Sequence, residues 1–363
     1  EVSKNPDGML LRSHNLSKED FEENLLCIAR AGAGTNNIPI DDATKKGIVV
    51  FNTPGANANA VKELIVAGLL LGSRDIYGGM SYVQELDHMD DSGEMGKLLE
   101  KEKKRFAGSE VTGKTLGVVG LGAIGSIIAN LALDLGMDVI GYDPAISVEA
   151  AWQLSSRVER MESLEKLLAS ADFVTLHVPA IPATKHLINH ETLSGMKSTA
   201  KILNFAREEI VNTDDMVDAL ETGSIAGYIS DFPTPALLGR KNVLLMPHIG
   251  ASTAEAEENC AVMAADQLKD FLENGNIYNS VNYPPTKMSR NGGSRITFSN
   301  NNVPKVLGSV LSILADSEIN VVDMVNKSRG EIAYNIIDVE GDISTQLKEK
   351  IAQVDGVMRV RLL

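Results

Sequence analysis

One glycine run and two side chains carry most of the chemistry this sequence can offer. Gly120-Leu121-Gly122-Ala123-Ile124-Gly125 is a GxGxxG run placed directly after Leu116-Gly117-Val118-Val119 and directly before a helical stretch, Ser126 to Leu135. In that strand-turn-helix setting each glycine has a use: a tight turn, close approach of backbone to a pyrophosphate, and close packing of helix on strand. The helix start adds free N–H groups and about half a positive charge for the diphosphate. Asp143 stands 18 residues after Gly125, at the end of the next strand-like run and before Pro144. A carboxylate there accepts hydrogen bonds from ribose hydroxyls and repels the extra phosphate of NADP, so NAD is the expected cofactor. The plainer alternative is a loop aspartate before a proline.

Arg207 and His248 each lie just past a β-rich run. A guanidinium is a planar fork suited to a bidentate grip on carboxylate. Imidazole is the side chain whose proton affinity suits exchange near neutral pH. The competing readings are a surface arginine and a hydrogen-bonded structural histidine. His177 sits at another strand exit, whereas His14, His88, His186 and His190 fall in polar or loop-like contexts and are expected to be solvated.

The elements that must hold these groups follow from pattern. Residues 113 to 250 alternate β-rich runs with helical segments, as in βαβ units on a parallel sheet: Leu116 to Gly120, Asp138 to Tyr142, Phe173 to Val178, Lys201 to Phe205, Gly227 to Asp231 and Val243 to Met246. Residues 1 to 75 repeat the idea more weakly, with strand-like runs at Gly8 to Arg12, Leu25 to Ala29 and Gly47 to Phe51 and an apolar helix from Val61 to Leu71. The charged stretch Gln84 to Lys104 has few apolar anchors and is expected to be solvated or poorly ordered. A long helix from Ser252 or Thr253 can return the chain to the first unit. After Pro284-Pro285 a polar linker runs to Ser294. The remaining residues then read strand, helix, strand, strand, helix, strand, a ferredoxin-like βαββαβ order.

Composition agrees with an ordinary globular protein of two or three domains. The 363 residues are 44% apolar and 23% charged, and no apolar run approaches the roughly 18 residues that span a bilayer. A net charge of −15 repels nucleic acid and anionic lipid on average, which leaves small molecules or further copies of the chain as partners. Cys27 and Cys260 form no metal-spaced cluster, no metal site is expected, and reduced thiols in the cytoplasm are the default. Nothing at the start resembles a signal peptide, and the opening Glu1 suggests a chain that begins inside a longer protein.

Taken together, Arg30-Ala31-Gly32-Ala33-Gly34, Asn52-Thr53-Pro54-Gly55-Ala56-Asn57, the glycine run, Leu176-His177-Val178-Pro179, Asn204-Phe205-Ala206-Arg207 and Pro247-His248-Ile249-Gly250-Ala251-Ser252-Thr253 resemble the D-isomer-specific 2-hydroxyacid dehydrogenases. Within that family the resemblance is to members with a C-terminal ACT regulatory domain, and it runs over essentially the whole chain. It implies an α/β protein in which a Rossmann-type, doubly wound NAD-binding domain (76–253) is inserted in a flavodoxin-like substrate domain (1–75 and 254–284). A ferredoxin-like ACT domain (294–363) follows.

The resemblance makes Arg207 the substrate arginine and His248 the acid-base. Gly120, Gly122, Ala123, Ile124, Gly125, Asp143, Pro144, His177, Val178, Pro179, Phe205, Ala206, Asp231, Gly250 and Ala251 become cofactor contacts. It places substrate on Arg12, Arg30, Ala31, Gly32 and Asn57. The implied reaction is NAD-dependent oxidation of D-3-phosphoglycerate to 3-phosphohydroxypyruvate in L-serine synthesis. Reduction of 2-oxoglutarate or hydroxypyruvate, or a noncatalytic NAD-binding regulator, are the alternatives. Relatives assemble as dimers or tetramers, and some bind L-serine across paired ACT domains. Asn300, Asn302 and Asn320 are the matching effector positions, although Asn300 replaces a histidine and Lys305 a glycine.

Two departures concern the chemistry. Relatives place a glutamate beside the catalytic histidine, whereas Asp231-Phe232-Pro233-Thr234-Pro235-Ala236 has none. His248 is therefore expected to work without that partner, with lower proton affinity and slower turnover. Arg207 is followed by Glu208 and Glu209 where glycine is common, and either glutamate faces solvent or bends towards His248.

Overall fold

The computed structural model of the chain describes residues 5–291 and 293–363. The opening Glu1 and Gly292 of the linker lie outside them. Strands follow in the order β1 (Gly8–Leu11), β2 (Cys27–Arg30), β3 (Val49–Phe51), β4 (Thr115–Val119), β5 (Asp138–Tyr142), β6 (Glu159–Arg160), β7 (Phe173–Leu176), β8 (Lys201–Asn204), β9 (Gly227–Ser230), β10 (Val243–Leu245), β11 (Ser294–Asn301), β12 (Val321–Arg329), β13 (Ile332–Val339) and β14 (Val357–Leu362). They form a parallel sheet β1-β2-β3, a parallel sheet β10-β9-β8-β7-β4-β5-β6 and an antiparallel sheet β12-β13-β11-β14. The α/β class, the Rossmann order and the βαββαβ segment are thus as expected. In the seven-stranded sheet the order reverses between β4 and β7, the point at which such sheets open a crevice at their carboxyl ends.

The chain divides into two compact units, one running up to Asn57 and again over Glu257–Leu363, the other Ala58–Ala256. The first boundary falls at 57/58 rather than at 75/76, because the helix Ala58–Ser73 packs in the second unit. Its Ile65 and Leu69 are fully buried there with Ile128, Leu203 and Ile229. Gly68 lies so close to Phe205 that an added Cβ would sit 3.0 Å from the ring, and Gly72 meets Ile229 in the same way. Each large aliphatic side chain buried here is worth roughly 1.5–3 kcal/mol.

The segment 294–363 has its own core, built on Ile296, Phe298, Val310, Leu314, Ile337 and Ile351, yet it is also joined to the rest of the first unit. Tyr334 and Ile336 of β13 share a buried cluster with Cys27, Phe51, Phe271 and Tyr283. The Arg361 guanidinium donates to the carbonyls of Phe271 and Leu272 at 3.0 and 2.7 Å and lies 4.6 Å from the Phe271 ring centroid. Arg359 donates to the carbonyls of Leu25 and Glu23. A strand that offers arginines to backbone carbonyls leaves no complementary charge pattern in the sequence, which is why this segment reads as separate.

The stretch 84–104 is mostly exposed, as expected, but it is also ordered. Ser92–Glu102 is a helix, with the Asp91 side chain accepting from Glu94 N at 2.8 Å. Glu102 pairs with Arg105 at 2.9 Å, and Arg105 lies over the rings of Tyr82 and Phe106. Capping and pairs three apart supply the order that buried anchors do not. Among the described residues no helix is long and apolar enough to cross a membrane, and no group of His, Cys, Asp and Glu is placed to hold a metal ion. Cys27 is a buried free thiol, pushed up to about 12 by desolvation, and so stays protonated and unreactive.

Candidate active site

The glycine run turns from β4 into the helix Ala123–Asp134. Each glycine meets a different constraint. Gly120 has φ +89°, and a Cβ there would sit 2.6 Å from the carbonyl oxygen of His177. A Cβ on Gly125 would sit 1.9 Å from the carbonyl oxygen of Gly120. Gly122, at the helix N-cap, faces open space instead. A backbone turn that is crowded on two sides and open on the third, at a helix N-terminus, has the shape and polarity to cradle a diphosphate.

Asp143, at the end of β5, reaches back to this turn. Its Oδ2 accepts from Leu121 N and its Oδ1 from Ala145 N, both at 2.8 Å. The carboxylate therefore stiffens the loop as well as carrying negative charge beside it, and each oxygen keeps a second lone pair for a ribose hydroxyl. We expect Asp143→Ser to reduce the preference for NAD over NADP, measured as the ratio of kcat/KM values, by about 10²-fold. An unchanged ratio would leave Asp143 only its loop contacts.

His177 continues from β7, its N–H donating to the Val119 carbonyl at 2.7 Å and its Nε2 lying 2.9 Å from the Thr175 hydroxyl. Its ring nitrogens are desolvated although part of the residue reaches the surface, and that desolvation lowers its proton affinity to about 3. The ring is accordingly neutral at physiological pH. Val178 and Pro179 follow it, partly exposed and exposed.

Arg207 and His248 are held by a second polar framework at the same, carboxyl edge of the sheet. Asn204, fully buried at the end of β8, donates from Nδ2 to the Arg207 carbonyl at 2.8 Å and to the Tyr228 hydroxyl at 3.2 Å, while its Oδ1 accepts from Ala206 N. The loop Phe205-Ala206-Arg207 is thereby shaped from inside. Arg207 is partly exposed, its Nη1 donates to the Ala206 carbonyl at 2.6 Å, and among the described residues it has no carboxylate partner. Glu208 and Glu209 are exposed in the turn that follows and make no bond to His248, so they face solvent.

Asp231, 2% exposed past the end of β9, organises the loop after β10. Its Oδ1 accepts from Ile249 N at 2.9 Å, its Oδ2 from Gly250 N at 2.7 Å, and its carbonyl from His248 N at 3.0 Å. Both carboxylate oxygens are thus engaged by the histidine loop. His248 adopts φ +57°, is exposed, and has its ring 4.9 Å from that of Phe232. No carboxylate among the described residues bonds its imidazole, and Ala236 presents only a methyl group from the turn Pro235–Leu237. Gly250 is buried beside Asp231 and Ala251 is partly exposed. Neighbouring strands stand about 4.8 Å apart, so loops after β8 and β10, one strand between them, begin about 10 Å apart.

The first unit gathers a separate set at the carboxyl ends of β1, β2 and β3. Arg12 follows β1, and its Nη1 lies 3.0 Å from Glu257 Oε1. Its carbonyl accepts from Arg30 Nε and Asn37 Nδ2, both at 3.2 Å. Ala31 N donates to the Leu11 carbonyl, and Gly32, at φ +150°, leaves room for the Arg30 guanidinium, which lies 2.1 Å from where a Cβ would be. Asn57 is partly exposed beyond β3. Arg12, Arg30 and Gly32 are therefore neighbours. Sequence reasoning did not single out Asn204 or Glu257: the first hides inside a quoted motif, the second in a run of helical glutamates.

The three asparagines of the C-terminal segment are not equivalent. Asn300 is buried in β11, where its Oδ1 accepts from Asn335 at 2.7 Å, and Asn335 accepts in turn from Asn326 at 2.6 Å. Its side chain is committed to the sheet. Asn302 is exposed and donates to the Gly330 carbonyl at 3.0 Å, and Asn320 is exposed before β12. Lys305 stands at φ +78°, a left-handed conformation that costs a non-glycine residue roughly 1 kcal/mol.

Comparison with known proteins adds an independent line. A family model described as the NAD binding domain of the D-isomer specific 2-hydroxyacid dehydrogenases matches residues 79–250. The chain is 33% identical to D-3-phosphoglycerate dehydrogenase of Haemophilus influenzae over 98% of this chain and 86% of that protein. It is 34% identical to D-3-phosphoglycerate dehydrogenase of Escherichia coli, over 97% and 86%. Among solved structures it is similar to the NAD+-bound 3-phosphoglycerate dehydrogenase of Entamoeba histolytica, with a TM-score of 0.60 and 29% identity over 76% of this chain and 82% of that one. The apo D-mandelate dehydrogenase of Rhodotorula graminis gives a TM-score of 0.65 and 25% identity over 77% and 85%.

Proposed function

This chain belongs to the D-isomer-specific 2-hydroxyacid dehydrogenases and is NAD-dependent, and from that premise we propose that it interconverts D-3-phosphoglycerate and 3-phosphohydroxypyruvate. The observation that carries the reading is that Arg207, with no carboxylate partner among the described residues, and the exposed His248 lie on loops at one edge of the sheet that bears the glycine run. Phosphoglycerate is favoured over other 2-hydroxy acids by the arginines Arg12 and Arg30, neighbours at the carboxyl edge of the first sheet, and by the names of the nearly full-length relatives.

In this reading Gly120, Gly122, Ala123, Ile124 and Gly125 hold the diphosphate, and Asp143 and Pro144 the adenosine ribose. His177, Val178, Pro179, Phe205, Ala206, Asp231, Gly250 and Ala251 line the rest of the cofactor site. NAD, when bound, supplies the hydride acceptor. Arg207 grips the substrate carboxylate through two parallel N–H donors, fixing the carbon whose hydrogen leaves. His248 removes the hydroxyl proton during oxidation and returns it during reduction. Arg12 and Arg30, with the amides of Ala31 and Gly32 and the Asn57 side chain, hold the remaining anionic groups.

The test is NADH consumption with 3-phosphohydroxypyruvate beside 2-oxoglutarate and hydroxypyruvate. A kcat/KM at least tenfold higher for the phosphorylated acid supports the proposal, a preference for 2-oxoglutarate overturns it, and no turnover with any of the three favours a noncatalytic NAD-binding regulator. Adding L-serine tests the C-terminal segment as an effector domain acting in a homo-oligomer. Inhibition requires serine to bind two conformations unequally.

The absent carboxylate near His248 yields a further expected result. Ala236→Glu should raise kcat/KM for oxidation a few-fold on the high-pH plateau, since a carboxylate beside the imidazole makes it a stronger base for the hydroxyl proton. A carboxylate favours the charged imidazole, so the limb along which activity rises as His248 deprotonates should move to higher pH than in the native chain. An unchanged rate and profile would show that the histidine loop needs no such partner.

A further inference from the structure

The best-supported candidate outside the catalytic loops is the ion pair between Arg12 and Glu257. Arg12 is one of two arginines that the proposed function uses for the substrate phosphate, and the present inference rests on that reading. The contact is single, Nη1 to Oε1 at 3.0 Å, and the two side chains are 45% and 54% exposed. Water and a competing anion can therefore reach it. Glu257 lies in the first turns of the helix Ala254–Asn274, whose start is capped by the Thr253 hydroxyl accepting from Ala256 N at 3.1 Å. The carboxylate is thus presented from a rigid element, whereas the Arg12 backbone is pinned by Arg30 and Asn37.

We propose that Glu257 is a specificity-determining residue that occupies Arg12 in place of the substrate's terminal anion and so sets the affinity for phosphorylated over unphosphorylated acids. A phosphate monoester carries about −1.5 to −2 charge near neutral pH and three acceptor oxygens, against one charge on a carboxylate. It outcompetes Glu257 for the guanidinium, but binding must first break the existing pair and then hold two anions near one arginine. An exposed pair of this kind is worth little, and the residual repulsion adds to it. The expected effect is a two- to tenfold change in KM. A substrate whose terminal group is a neutral hydroxyl makes no demand on Arg12 and gains nothing from release of the pair.

The test is steady-state reduction of 3-phosphohydroxypyruvate and of hydroxypyruvate by the native chain, Glu257→Gln, Arg12→Gln and the double variant, with Glu255→Gln as a control for loss of one helical charge. Glu257→Gln is expected to lower KM for the phosphorylated substrate two- to tenfold with kcat unchanged, to leave hydroxypyruvate unaffected, and to have no effect once Arg12 is glutamine. Equal effects on both substrates, an equal effect of Glu255→Gln, or persistence in the Arg12→Gln background would each overturn the inference while leaving the phosphorylated acid the preferred substrate. A native chain that does not prefer the phosphorylated acid would instead overturn the underlying reading. Glu257 and Glu255 are both exposed, so neither substitution threatens folding.

Discussion

His248→Gln is expected to lower kcat for oxidation by about 10²–10⁴-fold, the range usual for losing a positioned general base. Glutamine keeps a hydrogen-bonding side chain of similar reach but cannot exchange a proton. The loop should survive the change, because its geometry is set by backbone groups: Asp231 accepts from Ile249 and Gly250 and, through its carbonyl, from His248 N. NAD affinity, read by titration of protein fluorescence, should therefore change less than threefold, and the pH dependence of kcat/KM should flatten. Arg207→Gln provides the contrast. It removes a charged grip that binds the substrate in the ground state and also aims its hydrogen in the transition state, so KM should rise and kcat fall together. Activity of His248→Gln within tenfold of native would show that another group moves the proton.

The glycine run, the two catalytic candidates and the three sheets were legible because each rests on local pattern. Strand-turn-helix glycines, a charged residue after an apolar run, and alternation of β-rich and helical stretches all announce themselves within about 20 residues. Illegible features depend on distant partners or on very short elements. The strand β6 is two residues long, Glu159–Arg160, and exposed, with nothing in its composition to mark it. The helix Ala58–Ser73 reads as continuous with what precedes it, and only its packing against Phe205 and Ile229 assigns it to the second unit. The sequence offers Asp143 as a ribose ligand or a loop aspartate before a proline, but its bond to Leu121 requires knowing that the glycine turn folds back over the end of β5. Asn300 looked available in a polar turn, yet the partner that absorbs it, Asn335, lies 35 residues away on the neighbouring strand.

Arg295→Met is expected to destabilise the first unit by about 3–5 kcal/mol, the usual cost of leaving one half of a buried ion pair alone. Arg295 is 0% exposed and its partner Asp338 1%. Its Nε and Nη2 donate to the two Asp338 oxygens at 2.6 and 2.8 Å. The remaining donors go to the carbonyls of Asn274 and Met288, at 2.8 and 3.0 Å, and of Ser289, at 3.0 Å. All five guanidinium N–H groups are thus used. The pair lies within the β11–β13 ladder, opposite each other in register, while the carbonyls belong to the end of the long helix and the segment after it. One side chain therefore joins the C-terminal sheet to the path of the chain that leads into it. Methionine fills the volume but leaves Asp338 and three carbonyls without a donor. Lysine would keep the charge but has only three donors on one atom, too few for the five acceptors, and should also destabilise. Arg295→Met combined with Asp338→Leu removes both charges and should regain much of the loss. Denaturant unfolding, with hydrogen exchange in β11 and β13, measures each step. If Arg295→Met unfolds within about 1 kcal/mol of native, the network contributes no more than an exposed pair, and the apolar cluster around Tyr334 and Phe271 must hold the sheet in place.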